Sequence, residues 1–227
     1  MLKQLLSKLS PRPAPPPAGA LAPYADSHAN FLYNLLFCDE PALFARGAAT
    51  NEPPWSTLFS DPPELAALTA IAGDAQQESR VRMLAFERLR AAGKPVPAKI
   101  LLGVIVEVPL PGGLDVLAAY ADGRVRYINQ TGRVAVFEGA PPAVTDAGRA
   151  LIAASEGLVR AIGPWDKPRL APPRVGRIRL SFLVSDGLYF GEGDFEGMHK
   201  DVYGAPVVRK ATELLHAVVA TAPAPGA

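Results

Sequence analysis

Apolar residues in the first part of the chain recur at helical spacing, and proline, glycine or aspartate interrupts them at intervals. One apolar stripe covers residues 28–37, follows a candidate N-cap at Asp26 or Ser27, and stops before Pro41. The next stripe follows Pro63, which suits a first helical turn, and ends at Gly73, and the one after it follows Asp74 and ends at Gly93. The pattern predicts helices over 28–37, from Leu65 to Gly73, and from a cap at Asp74 to Gly93.

The periodicity changes to that of strands near residue 98. Residues 100–108 are β-branched and almost continuously apolar, which predicts a central strand covered on both faces. Shorter apolar runs follow, separated by Asp122-Gly123 and by Gln130-Thr-Gly132, which are both typical of tight turns. These runs predict an antiparallel meander with strands over 114–121, 124–129 and 133–137.

A second, shorter group of strands lies near the end of the chain. Apolar residues over 178–184 alternate with Arg177, Arg179 and Ser181, which predicts a half-buried strand. Asp186-Gly187 then predicts a hairpin turn, with the chain returning along 188–190.

Two further helices complete the predicted order of elements. One covers 144–162 and stops at Gly163-Pro164, and the other begins near Pro206, which suits a first helical turn. A proline-rich connection of exposed character, 165–173, follows the first of them. The fold class expected is α+β: a mainly antiparallel sheet of about six strands, meander plus hairpin, with packed helices and an N-terminal helical segment.

The same pattern predicts how the chain is divided. Residues 1–9 place Leu2, Leu5, Leu6 and Leu9 on one helical face, and the proline run 11–17 separates them from the rest as a semi-rigid spacer. The simpler interpretation of 1–9 is a frayed terminus, and the alternative is a peptide that docks on a partner or a membrane surface. The expected parts are a helix and linker over 1–23, a helical segment packed on the main domain over 24–95, an α+β domain over 96–220, and a flexible tail over 221–227.

The meander contains Tyr120-Ala-Asp-Gly-Arg-Val-Arg-Tyr-Ile-Asn129, a hairpin that resembles one used by small sensor and scaffold domains of the profilin, roadblock and PAS kinds. The order of elements is similar to theirs over about half of the chain. The resemblance implies a sensor or scaffold fold. It includes no functional motif, so it assigns no site residue.

Charge and composition exclude several classes of function. The formal charge is +1 and the arginines are spread along the chain, whereas nucleic-acid binding needs clustered positive charge. No apolar run is long enough for a transmembrane segment, and the start does not have the pattern of a secretory signal. A single cysteine, Cys38, cannot form an internal disulfide, which is typical of a reducing compartment. We therefore expect a cytoplasmic protein that does not bind nucleic acid.

Candidate chemistry is concentrated in residues 186–204, which are rich in glycine, carboxylates and aromatic residues and are expected to form a loop. Acidic side chains would repel a phosphate there, so a nucleotide loop is not expected. A metal site is the alternative, and it would make the protein a metal-assisted hydrolase, although the spacing matches no familiar calcium or zinc motif. The metal ligands would be Glu192, Asp194, Glu196, His199 and Asp201.

The preferred interpretation of the same residues is a contact surface. Aromatic side chains have few rotatable bonds and make good interface anchors, and glycines let another backbone approach closely. The candidate interface residues are Tyr189, Phe190, Phe195, Met198, His199 and Tyr203. The sequence thus predicts a non-enzymatic accessory or scaffold protein that acts through protein–protein contacts or self-association, with no cofactor.

Overall fold

The computed structural model describes residues 20–45 and 52–221. Within these ranges the predicted α+β class is confirmed. The helices are α1 (Ser27–Leu35), α2 (Pro41–Ala45), α3 (Trp55–Leu58), α4 (Leu65–Gly73), α5 (Ser79–Ala91), α6 (Pro142–Ala161), α7 (Phe195–Lys200) and α8 (Gly204–Thr221).

A six-stranded sheet runs through the centre of the molecule, and every neighbouring pair of its strands is antiparallel. Its spatial order is β4-β3-β2-β1-β5-β6, so the first strand of the predicted meander pairs with the first strand of the predicted hairpin. The strands are β1 (Leu101–Leu110), β2 (Gly113–Tyr120), β3 (Val125–Ile128), β4 (Val134–Phe137), β5 (Arg177–Val184) and β6 (Gly187–Asp194).

Different helices cover the two faces of the sheet, because successive side chains of a strand point to opposite faces. Ile105 of β1 belongs to a core shared with Tyr33 of α1 and with α2 to α5. Its neighbour Val104 belongs to a separate core that contains Leu151 of α6 and Leu214 of α8. The central strand is therefore covered on both faces, as its continuous apolar run predicts.

The prediction that β5 is half-buried is wrong. Arg179 and Ser181, the polar half of its alternating pattern, are only 4% and 1% exposed. Their face is covered by the N-terminal helices and by the connection between α6 and β5. The pattern misled because a charged side chain can be buried when a side chain from a neighbouring strand pairs with it, and alternation within one strand does not reveal that partner.

The prediction that residues 186–204 form a loop is also wrong. Gly187 begins β6, which continues well past Phe190 to Asp194, and α7 starts at the next residue. The Asp194 side chain caps this short helix by accepting a hydrogen bond from the backbone N–H of Gly197 at 2.7 Å. A strand and a helix therefore fix most of the segment.

The proline-rich connection over 163–174, here called the strap, lies against the body of the protein. The backbone N–H of Trp165 donates to the Leu188 carbonyl oxygen at 2.7 Å, beside the edge strand β6. The guanidinium of Arg169 donates to Oδ1 of Asn34 in α1 at 2.7 Å. The strap thus joins the first helix to the last hairpin.

The predicted amphipathic helix over 1–9 lies outside the described residues, and so does the predicted tail over 221–227 apart from Thr221, which ends α8. Docking through 1–9 stays a prediction. No helix within the described ranges is long and apolar enough to cross a lipid bilayer.

The start of β2 offers a test of the sheet's register. A Cβ atom at Gly113 would lie 2.0 Å from the Gln130 carbonyl oxygen, whereas one at Gly191 in β6 would meet nothing within 4 Å. We expect Gly113→Ala to lower the free energy of unfolding by about 1–3 kcal/mol, because the backbone must move apart. The matched control Gly191→Ala should change it by less than about 0.5 kcal/mol. Urea denaturation measures both, and equal midpoints for the two variants would contradict the pairing.

Candidate functional site

A row of charged side chains crosses adjacent strands on the face beneath α1. Glu107 of β1 lies opposite Arg179 of β5, which lies opposite Glu192 of β6. Nη2 of Arg179 is 2.6 Å from Oε2 of Glu192, and its Nη1 is 3.8 Å from Oε2 of Glu107. The hydroxyl of Tyr33 in α1 donates to Oε1 of Glu107 at 2.7 Å. The row therefore connects the N-terminal helices to the central strand and to the final hairpin.

The two carboxylates of this row have opposite pKa shifts. Burial raises the pKa of Glu107 above its ordinary value, and the hydrogen bond from Tyr33 and the charge of Arg179 oppose that shift only in part. Burial also acts to raise the pKa of Glu192, but hydrogen bonds from Arg179 and Arg177 outweigh it and hold the pKa below its ordinary value. Glu192 is therefore firmly ionised at neutral pH, whereas the charge on Glu107 costs stability.

The row is better suited to structure than to catalysis. Glu107 is fully buried, so no substrate could reach its carboxylate without a rearrangement of α1. Oε2 of Glu107 has no hydrogen-bond partner among the described residues. The nearby charge of Arg179 therefore offsets the loss of water at this oxygen. The group acts as a polar connection between layers.

We expect two substitutions at Glu107 to differ sharply. Glu107→Leu removes the acceptor of the buried Tyr33 hydroxyl and one partner of Arg179, so it should lower the free energy of unfolding by about 2–4 kcal/mol. Glu107→Gln retains an acceptor for Tyr33 and should cost about 1 kcal/mol or less at neutral pH. Chemical denaturation of the three proteins at one pH measures the difference.

The pH dependence of stability, compared between the wild type and Glu107→Gln, tests the raised pKa of Glu107. The pKa of Glu107 is raised in the folded protein, so the folded protein binds the Glu107 proton more tightly than the unfolded chain does. The resulting contribution to the free energy of unfolding is complete below the ordinary glutamate pKa and is lost as pH rises through the raised value. The stability of the wild type relative to Glu107→Gln should therefore fall as pH increases from about 4 towards neutrality. A constant difference over that range would show that the pKa of Glu107 is not raised.

The predicted metal ligands do not converge. Glu192 is held by Arg177 and Arg179, Asp194 caps α7, and Oδ1 of Asp201 accepts hydrogen bonds from the backbone N–H groups of Tyr203 and Gly204 at 2.9 and 2.6 Å. The described part of the chain contains no group of three His, Cys, Asp or Glu side chains placed to hold a metal ion. The remaining two side chains lie on α7, with Glu196 3.8 Å from Lys200 and the His199 ring 4.8 Å from that of Phe195.

Three glycines of this segment, Gly193, Gly197 and Gly204, have structural explanations. A Cβ at Gly193 would lie 3.0 Å from Cγ of Met198, and one at Gly197 would lie 2.8 Å from the carboxylate of Asp194. A Cβ at Gly204 would approach the Met198 carbonyl oxygen at 3.2 Å. The glycines thus allow α7 to pack closely on β6 and α8, and their density in the sequence does not require a ligand.

The predicted interface residues divide into buried and exposed groups. Tyr189 is fully buried in the core under α6 and α8, and Met198 packs against the same core. Phe190 is partly covered, and its ring lies 5.1 Å from that of Trp165 in the strap. Phe195 and Tyr203 are exposed by 41% and 47%.

Two exposed valines were missed by the sequence reasoning: Val202 lies in this segment, and Val175 lies just before β5. Val202 precedes Tyr203 and is 76% exposed, and Val175 is 68% exposed. The backbone N–H of Phe195 donates to the carbonyl oxygen of Gly176 at 3.3 Å, which brings Val175 to the start of α7. We call Val175, Phe195, Val202 and Tyr203 the α7 patch.

A separate cleft of about 440 Å³ lies between the end of α1, α5, the strap and the β5–β6 turn. The guanidinium carbon of Arg169 lies 3.8 Å from the centre of the Phe37 ring, and its Nε is 3.1 Å from Oδ2 of Asp39. Burial raises the pKa of Asp39, and the charge of Arg169 opposes that rise. Burial likewise raises the pKa of the Cys38 thiol far above its ordinary value, so this cleft residue is a poor nucleophile near neutral pH.

Comparison with known proteins identifies no relative of this chain. No protein-family model matches the chain, and no curated protein or solved structure shows a significant match to it. The function must therefore be argued from the geometry of the cleft and of the α7 patch.

Proposed function

We propose that this protein is a non-enzymatic binding protein, an accessory or scaffold component, that contacts a protein partner through the α7 patch. The observation that carries the proposal is the exposure of four large apolar side chains around one short helix. Exposed apolar side chains that occur together often belong to contact sites, whereas single ones need no explanation. Phe195 and Tyr203 provide the aromatic anchors.

The rigidity of the patch supports the same proposal. Asp194 caps α7, Asp201 holds the turn into α8, and Met198 fixes the underside of the helix against the core. Aromatic side chains on a fixed backbone lose little conformational entropy on binding, so more of the contact energy is retained as affinity.

The neighbouring edge strand adds a second recognition element. Leu188 forms an isolated bridge with Trp165, while along the rest of β6 the described residues pair only with β5. The outer edge of β6 therefore presents backbone groups beside the α7 patch. A protein partner that covers the patch could also pair with this edge, as in strand addition.

A cytoplasmic location fits this proposal. Cys38 is a free, buried thiol, which is compatible with a reducing compartment. No observation on the described residues favours the metal-assisted hydrolase, since each predicted ligand already contacts a structural partner or remains apart from the others.

The α7 patch can be tested by removing its two aromatic anchors. We expect Phe195→Ala combined with Tyr203→Ala to weaken a partner complex about thirtyfold, the effect of losing about 2 kcal/mol of anchor energy. Affinity purification from the native cell, with light scattering to detect self-association, measures the change. The thermal midpoint should stay within a few degrees, because both side chains are exposed.

Val136→Ala is the matched control, since Val136 is 54% exposed on β4 at the opposite edge of the sheet. It should leave the partners and the oligomeric mass unchanged. If the double variant retained every partner and the same mass as the wild type, the proposal would be wrong.

A further inference from the structure

The described chain begins at the cleft. Ala20 lines the cleft, and Leu21 is fixed beside it through its backbone N–H to Oδ1 of Asn34 at 3.1 Å and through Nδ2 of Asn34 to its carbonyl oxygen at 2.7 Å. Consecutive Cα atoms are 3.8 Å apart, so Pro17 lies within about 11 Å of Ala20 in any conformation. Only residues 18 and 19 thus separate the proline run 11–17 from a residue that lines the cleft.

The walls of the cleft have the composition of a peptide groove. Leu188 and Trp165, both partly exposed, supply apolar and aromatic surface, and the almost fully buried Phe37 and Leu183 lie behind them. Grooves that bind proline-rich segments are lined by aromatic residues, because proline rings pack on flat aromatic faces. The volume of about 440 Å³ lies within the usual range of binding pockets.

The cleft also has an excess of negative charge. Glu40 and Asp166 form no ion pair with any residue that the structure describes, and they lie at the two sides of the cleft, beside α2 and in the strap. Among all the lining residues, five carboxylates face three basic groups: Asp39, Glu40, Glu87, Asp166 and Asp186 against Arg90, Lys167 and Arg169. A basic occupant would therefore be favoured.

The sequence before Ala20 has the complementary charge. Before Asp26 the sequence contains Lys3, Lys8 and Arg12 and no acidic residue. Arg12 lies inside the run Pro11-Arg-Pro-Ala-Pro-Pro-Pro17, which favours extended polyproline geometry. A chain that is already extended loses less entropy on binding than a flexible one.

We propose that the cleft is a groove for a proline-rich, basic peptide, and that its occupant is the chain's own segment Pro11–Pro17. In this arrangement the prolines would pack on Trp165 and Leu188, and Arg12 would pair with Glu40 or Asp166. Covalent connection through residues 18–20 gives the segment an effective concentration of about the millimolar level, so modest contacts suffice. This groove is separate from the α7 patch, and the inference does not depend on the proposed function.

A photo-crosslink in the full-length chain tests the inference. Benzoylphenylalanine in place of Ala14 should, on irradiation of dilute protein, form intramolecular crosslinks to residues 37–43 or 165–169, identified by mass spectrometry. Arg12→Glu should reduce the yield several-fold, because it places a negative charge against the acidic rim. Lys3→Glu makes the same change of charge outside the proline run and should leave the yield unaltered.

Competition provides a second measurement. A synthetic peptide with the sequence of residues 9–19, added in excess, should suppress the intramolecular crosslink, while the same peptide with Arg12→Glu should not. Crosslinks confined to other surfaces, or equal yields from Arg12→Glu and Lys3→Glu, would overturn the inference. So would crosslinks that form only between molecules and increase with concentration, since they would assign the groove to a second copy.

Discussion

Glu107 lies in the middle of the sheet, and the way its charge is accommodated determines how the first half of the chain packs on the second. The carboxylate is fully buried, so Tyr33 and Arg179 must supply the polar contacts that water would otherwise make. Tyr33 belongs to α1 and Arg179 to β5, far apart in the sequence. Apolar contacts tolerate small shifts, whereas a buried polar network is satisfied in few arrangements, so this group fixes α1 over the sheet.

The strap extends the same connection. Nη1 of Arg179 donates to the Leu170 carbonyl oxygen at 3.2 Å, and Arg169 reaches Asn34 in α1. Arg179 therefore holds the strap in place as well as pairing with both carboxylates of the row. The cleft lies where the strap, α1 and the β5–β6 turn meet, and its shape depends on these buried contacts. The charged residues of the sheet thus help to shape the cleft through the strap.

The acidic and glycine-rich segment shows why a dense cluster of reactive residue types is a weak sign of chemistry. Asp194 and Asp201 serve as caps, Glu192 pairs with two arginines, and Gly193 and Gly197 permit close packing. Of the tyrosines and phenylalanines selected from the sequence, Phe195 and Tyr203 remain substantially exposed. Local sequence could identify the segment, but it could not separate caps and ion-pair partners from free side chains.

The sequence by itself determined the longer helices and most strands, their order and the main turns, because hydrophobic periodicity, caps and tight-turn residues act over a few positions. It did not predict the short helices α2, α3 and α7. Asp26 does cap α1, and Gly123 does occupy a turn with φ of 89°. Only the tertiary structure decided that Arg179 is buried, that Tyr189 is core, that the strap packs against α1, and that Ala20 borders a cleft. These properties depend on partners distant in the chain, such as Glu107 for Arg179. A local sequence pattern does not show which distant residues come into contact.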